Sequence, residues 1–578
     1  MAVQTKAQRF FNLTAAEVKT DSVVPHFCHT EPLPDNYRDS VYTVSIVYPE
    51  FIDMPATDVS NYRRHHSALP PAMPELETNI VFNRRKPFIS TSFCPVVYRS
   101  GKYQLLVSFL LKRDASVKGG AKNSAPKRKT DVVPAERYAA HSVLATGKWV
   151  KIRVSASGFH QITESLIRKA GFSDINKVKL YGYGGNLKNE ILNADDLINS
   201  DDLKEVPTYK SGNRRVFYAR GPVSWASNTS TVRTRNPYSD YGYYFLTESA
   251  DAPTTVDAAA MAADTYPTPD DFHSHYEVDA YSWYNGGRNL FDSHSVEPGS
   301  SRTVNIAAPN TYGEQKLVVC VSAGRSCVVQ VEVNDSIVGT VRTSLGDSKY
   351  IFGCRKSATF TVRNIKADNA VKLTVLEGAA MRLDYITLVS PEPRPMPDLD
   401  SESLPVPEYV YGITNQDRHA DPQADLVIII PTSQKLLKQA QRLKTFHEER
   451  DGLRVNIVPA DELYNEFSSG TPDASAYRHY MKMLYDRAAD EKDMPKYLLL
   501  FGDCVWDNRM LTPQCRNLNP DDYLLAFESE ESFDKRSCYI DDGFYAMLDD
   551  GEGAKPLWVD KLDVAVGRFP VTTEQEAK

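Results

Sequence analysis

Among the residues able to do chemistry, the pair Gly502-Asp503 stands out by position. It follows the apolar run 498–501, at the carboxyl end of an expected strand. In an open α/β sheet, ligands collect in the crevice at those ends. A glycine there permits a tight turn and aims the next carboxylate inward, toward a metal or a catalytic role. A capping aspartate reads the same way, and position alone does not separate the two. Segment 534–553 adds two acidic pairs, Asp541-Asp542 and Asp549-Asp550. Carboxylates at this density repel one another unless solvated or bound to a hard cation such as calcium. Their spacing is not that of an EF-hand, and the run DDGEG reads more simply as a turn.

Other constellations are weaker. Cys504 follows the Gly502-Asp503 turn, but a nucleophilic thiolate needs a base, and no histidine follows His479 nearby. His447-Glu448 fails the H-E-x-x-H zinc pattern because position 451 is aspartate. His273 and His275 have no third ligand at a sensible spacing and read as exposed loop histidines. VKLYGYGGN (178–186) is not a dinucleotide loop, since the third glycine of G-x-G-x-x-G falls at Leu187. No G-x-S-x-G elbow occurs.

The elements that must hold these residues change character along the chain. The 578 residues, 42% hydrophobic and 25% charged, imply several globular domains. The net charge of −8 argues against a nucleic-acid partner. Abundant tyrosine (32) and proline (35) suit β-rich modules. The eight cysteines include no C-x-x-C, so zinc ribbons and thioredoxin-like sites have no support. Free thiols and a disulfide of Cys320 or Cys327 with Cys354 are both open. No apolar run reaches the length of a membrane helix, and Met1 to Gln8 show no signal-peptide core.

Residues 1–111 read as an N-terminal β module. Residues 112–140 form a flexible basic linker, with seven Lys/Arg between 112 and 130. Residues 141–230 read as a second β-rich module. Residues 231–390, with strand candidates every 8–14 residues or so, read as a β-sandwich or jelly roll. Residues 391–424 are a Pro-rich linker, with six prolines between 391 and 407. After it, continuous apolar runs at 425–430, 453–458, 496–501 and 562–567 alternate with amphipathic helices. One of these carries Leu436, Ala440, Leu443 and His447 on one face. The other, capped by Asp473, carries Tyr477, Met481, Leu484 and Ala488. That grammar is a parallel sheet covered on both sides.

DLVIIIPT (425–432), KTFHEERDGLRVNIV (444–458), KYLLLFGDCVWDNR (496–509), SCYIDDGFYAMLDD (537–550) and LDVAVGRFPVTTEQEA (562–577) together resemble the catalytic domain of the gingipain family of cysteine peptidases, with its caspase-like α/β fold. GKWVKIRVSASGFHQIT, KLYGYGGN, VFYARGPVSW and YSWYNGGRNLF are similar to the β modules that precede that domain in the sortases of type IX secretion. The resemblance implies a multidomain protein with N-terminal all-β modules and an incomplete gingipain-like α/β subdomain at 425–578. It implies a secreted cysteine endopeptidase that removes C-terminal sorting signals from exported cargo and can transfer that cargo to anionic lipopolysaccharide. The implied location is the outer membrane, cell surface or periplasm of a Gram-negative bacterium, with type IX secretion components as partners. In the family the catalytic His and Cys follow the GRFPV segment, so no catalytic residue is expected before Lys578 and the chain alone is expected to be inactive. The chemistry requires no cofactor. The resemblance implies a structural calcium ion between the Gly-Asp strand end and the acidic loop, at Asp503 and Asp542. The competing reading is a noncatalytic cell-surface binding protein built on β-sandwiches. A carbohydrate-active enzyme lacks a credible carboxylate pair.

Overall fold

The computed structural model describes residues 10–14, 25–66, 68–117, 134–346, 348–553 and 559–578. Most of the basic stretch of the expected linker, and Asp347 of an expected turn, lie outside these residues. The chain divides into two compact units, residues 1–131 with 547–563, and residues 132–546 with 564–578.

The first unit is a β module, as its alternating segments imply. Strand Lys102–Val117 pairs antiparallel with Phe10–Asn12, Ser40–Asp53 and Val96–Arg99. A second sheet joins Phe27–Pro32, Lys86–Phe93 and Glu77–Asn83. Phe93, Leu106 and Phe109 are buried among partly buried aromatic neighbours. One helix, Ala56–His65, interrupts the strands. The segment 547–563 also belongs here: Asn83 donates to the Leu562 carbonyl (2.8 Å), and the Arg84 N–H to Asp563 Oδ1 (2.6 Å). The acidic pair Asp549-Asp550, expected in the α/β subdomain, therefore packs with the N-terminal β module.

Among the sheets of the second unit, one antiparallel sheet, a sandwich and a parallel sheet frame the site. One antiparallel sheet runs Val178–Tyr181, Gly242–Glu248, Trp149–Val154 and Glu408–Ile413. It draws strands from beyond the 141–230 stretch, and Glu408–Ile413 from within the expected Pro-rich linker. The sandwich is built as its spacing implies. Strands Ser301–Ala307, Asp368–Gly378, Cys327–Val333 and Ser336–Thr343 form one sheet. His273–Glu277, Met381–Val389, Gln315–Ala323 and Cys354–Val362 form the facing one. Valines and leucines from both inner faces, such as Val319, Val331, Leu373 and Leu383, make a single core. The eight cysteines are free thiols, and Cys320 sits against Asp384 at 3.2 Å.

The third sheet is parallel, in the order Val455–Pro459, Leu426–Ile430, Tyr497–Phe501, Ala565–Phe569. All five residues of Leu426–Ile430 are buried, as a central strand covered on both faces requires. Helix Leu437–Asp451 buries Leu436 and Ala440 on one side. It stops at Gly452, whose φ of +65° is the left-handed conformation glycine adopts at no steric cost. Helix Ser475–Arg487 departs from the expected one-sided pattern: every residue from Ser475 to Asp486 is buried. Its polar residues find partners inside. Arg478 Nη1 donates to the Glu190 carbonyl (2.6 Å), and Lys482 pairs with Asp486 (2.7 Å). Asp473 Oδ1 accepts from the Ser475 N–H at the start of this helix (2.8 Å).

Candidate active-site cleft

The parallel sheet delivers three chain reversals to its carboxyl edge, after Ile430, Pro459 and Phe501. They are packed tightly. A Cβ on Gly502 would lie 2.7 Å from Pro431 Cγ, so only glycine fits there. The Ser433 N–H donates to the Asp521 carbonyl (2.8 Å), and the Leu524 N–H to the Asp503 carbonyl (2.9 Å). Loop 502–526 thus folds back over the strand ends.

A cavity of about 390 Å³ opens at this edge. Its floor comes from the reversals: Thr432, Asp461, Val505, Asn508 and Leu525. Its opposite wall comes from the β module: Lys151, Arg153, Tyr241, Tyr243 and Tyr411. Lys151 is buried, with Nζ 3.3 Å from Asn465 Oδ1 and 4.6 Å from the centre of the Tyr243 ring. Burial pulls its pKa down to about 8. Arg153 lies over the Tyr241 ring at 3.9 Å and pairs with Glu408 at 2.7 Å. Burial raises the pKa of Asp461, against the pull of Lys151. Asp461 Oδ1 and the Tyr238 hydroxyl are buried and have no hydrogen-bond partner among the described residues.

Loop 502–526 is anchored by Arg509. Its guanidinium, 3% exposed, meets Asp240 (2.7 Å) and Asp279 (2.6 Å). Asp240 lies beside the sheet of the second module and Asp279 just past the strand His273–Glu277. The loop is therefore clamped to two β elements of its unit.

The family resemblance implies a cation site at Asp503 and Asp542. In the structure Asp503 Oδ1 accepts from the Cys504 N–H (2.8 Å). Both carboxylate oxygens of Asp542 are taken by Arg568. The same guanidinium donates to the Gly502 carbonyl (3.2 Å). Arg568 thus supplies at Asp542 the positive charge that the expectation assigns to calcium. It was missed, although a lone arginine inside the strand-like run before Phe569 is a signal that a buried anion awaits it. A separate buried group, Asp549, Glu552 and Asp563, brings its oxygens within 4.8 Å of one another in the first unit. Backbone N–H groups of Asp549 and Lys561 donate to Glu552 (3.0 and 2.9 Å).

Cys504 is a poor nucleophile. Burial pushes its pKa up to about 11, with Asp542 and Asp503 adding to the effect against Arg568. No histidine hydrogen-bonds its sulfur among the described residues. His273 and His275 are not loop residues, contrary to expectation. They occupy the strand His273–Glu277, where His273 is buried, stacked on Trp225 at 4.0 Å and held between the Pro269 and Ser230 carbonyls. Two alternate strand positions put both rings against Trp225, an arrangement that the pattern H-S-H hides. His447 instead bridges to Asp451 Oδ2 one helical turn on (2.7 Å).

No curated protein sequence matches the chain. Among solved structures it is similar to dimeric latent PorU from Porphyromonas gingivalis, with 27% identity and a TM-score of 0.61. That match covers 76% of this chain and 49% of the PorU chain, so the chain spans about half the length of that relative. A family 35 carbohydrate-binding module from Clostridium thermocellum matches over 20% of this chain and 88% of its own, at 18% identity and a TM-score of 0.16. The model of peptidase family C25 matches residues 419–578. The parallel sheet and the floor of the cleft fall within that match. Residues 419–578 thus match peptidase family C25, the gingipain family, and the chain is similar in fold to part of PorU.

Proposed function

We propose that the protein is a gingipain-type cysteine endopeptidase acting as a sortase, and that the cavity at the carboxyl edge of its parallel sheet is part of the substrate cleft. The supporting observation is the position of that cavity: it lies at the strand ends of the segment matched by peptidase family C25, with β-module residues as its far wall. In this reading a thiolate attacks the scissile carbonyl, a histidine moves the proton, and water or an amine resolves the thioester. The substrate class is exported cargo with C-terminal sorting signals, and the acceptor is anionic lipopolysaccharide. The protein works at the outer membrane with the type IX secretion machinery. The 578-residue polypeptide by itself is inactive in this reading: the family's His and Cys follow the GRFPV segment, and Cys504, its pKa pushed up to about 11, has no histidine hydrogen-bonded to it among the described residues.

The test is turnover of a peptide spanning a sorting junction, with and without a thiol-directed inhibitor. No cleavage by the 578-residue polypeptide is expected, and thiol-dependent cleavage by a longer polypeptide that adds a histidine and a cysteine at the strand ends would support the reading. Cleavage by the shorter polypeptide that is lost on Cys504→Ala would overturn the assignment. The proposal extends to a structural calcium ion at Asp503 and Asp542. To bind there it must displace the Arg568 guanidinium, so Arg568→Met is expected to show a calcium-dependent rise in Tm. A calcium-independent Tm in both the parent and this variant removes the ion.

A further inference from the structure

The cavity at the sheet edge holds charges that the fold leaves unmatched. Arg153 and Arg509, which also line it, are each paired with carboxylates. Lys151 is not: its contacts are the Asn465 amide oxygen and the faces of Tyr243 and Tyr411. Asp461 has a buried oxygen without a partner. A buried ammonium and a buried carboxylate oxygen left apart are each costly, and the attraction of Asp461 and Asp521 for Lys151 acts across space without a direct ion pair.

Their separation follows from the helix Ala460–Phe467. Asp461 and Asn465 are four residues apart and lie on one face. Lys151 Nζ is fixed on Asn465 at 3.3 Å. The ammonium therefore sits toward the Asn465 end of that face and makes no ion pair with the Asp461 carboxylate. The arrangement suits a single amino-acid residue whose α-ammonium meets the carboxylate while its carbonyl oxygen meets the lysine. The buried, unpartnered Tyr238 hydroxyl lines the same cavity and is available to the next peptide group. Tyrosine walls receive the side chain, and about 390 Å³ holds two or three residues.

We propose that this cavity binds the free N-terminus of a peptide, with the α-ammonium on Asp461 and the first carbonyl on Lys151. The ligand is a primary amine carrying an adjacent carbonyl oxygen. The proposal rests on the reading of this cavity as part of a substrate cleft. It does not need peptide-bond chemistry, because its test is equilibrium binding, so failure of one does not imply failure of the other.

The experiment is calorimetric titration of the 578-residue polypeptide with trialanine, trialanine amide, N-acetyl-trialanine and Nα-acetyl-lysine amide. Trialanine and its amide are expected to bind alike. Acetylation of the N-terminus is expected to weaken binding tenfold or more, since it removes the charge that Asp461 recognises, and the side-chain ammonium of Nα-acetyl-lysine amide is expected not to substitute for it. Asp461→Asn and Lys151→Met are expected to weaken trialanine binding about tenfold and severalfold, with the near-ultraviolet circular dichroism of the parent retained. Equal binding of free and acetylated trialanine to the parent protein overturns the proposal without reliance on any variant. So does tighter binding of Nα-acetyl-lysine amide than of trialanine, or absence of trialanine binding.

Discussion

Arg568 donates to both carboxylate oxygens of Asp542, at 3.0 Å from Nε and 2.7 Å from Nη2. One end of this pair stands in the last strand of the parallel sheet, the other in the turn Asp542–Ala546. Because Arg568 also reaches the Gly502 carbonyl, the pair sets where the strand end of Tyr497–Phe501 stands relative to the acidic loop. Side-chain exposure is 10% for Arg568 and 24% for Asp542. Removing the acid leaves a buried guanidinium without its counter-charge. Asp542→Asn is expected to lower unfolding free energy by about 3–5 kcal/mol, read by urea denaturation. Arg568→Lys, which keeps the charge but not the two-pronged geometry, is expected to fall between the parent and Asp542→Asn.

Arg509 is the second such anchor, and a double-mutant cycle isolates it. Arg509→Met leaves Asp279, 3% exposed, without its closest cation and is expected to cost about 3–5 kcal/mol. Adding Asp279→Asn to Arg509→Met is expected to recover part of that loss, because the stranded charge is gone. Additive losses would show that the two side chains do not act on each other.

His419 predicts a pH dependence. It is fully buried, with Nδ1 2.6 Å from Glu466 and Nε2 3.1 Å from Asp201. Burial acts against the charged ring, but hydrogen bonds to the two carboxylates raise its pKa to about 10. A raised histidine pKa contributes stability that is whole below the unfolded value of about 6.5 and is lost as pH rises through the folded value. Denaturation midpoints are therefore expected to fall between about pH 6.5 and pH 10. In His419→Gln that slope is expected to flatten. A parent slope unchanged by this variant would assign the effect to other groups.

Cys504 is expected to resist modification. With its pKa pushed up to about 11, almost none of it is thiolate at pH 7.5, and thiolate is the reactive form. Alkylation by iodoacetamide, followed by mass spectrometry, is expected to be at least tenfold slower at Cys504 in the folded protein than in urea. Rapid modification of the folded protein would reverse the conclusion that this thiol is inert.

The local grammar of this protein is legible in its residues alone. Regular spacing of strand candidates marked the sandwich, and continuous apolar runs marked the parallel sheet around Leu426–Ile430. Gly452 marked a helix stop and Gly502 a tight reversal, because each residue type suits one backbone state or one packing distance. Which distant side chains share a charge depends on how the layers pack. Arg568 and Asp542 are 26 residues apart, Arg509 and Asp240 are 269 apart, and Lys151 and Asn465 are 314 apart. No periodicity spans such separations. The family resemblance assigns Asp542 to a cation, and the side chain that meets it in space is an arginine. The helix Ser475–Arg487 read as one-sided because Arg478 and Lys482 are charged, yet both are buried where a carbonyl and a carboxylate from packed elements receive them. Burial of a polar group depends on partners that come from other elements, so it is settled when the layers pack and not before.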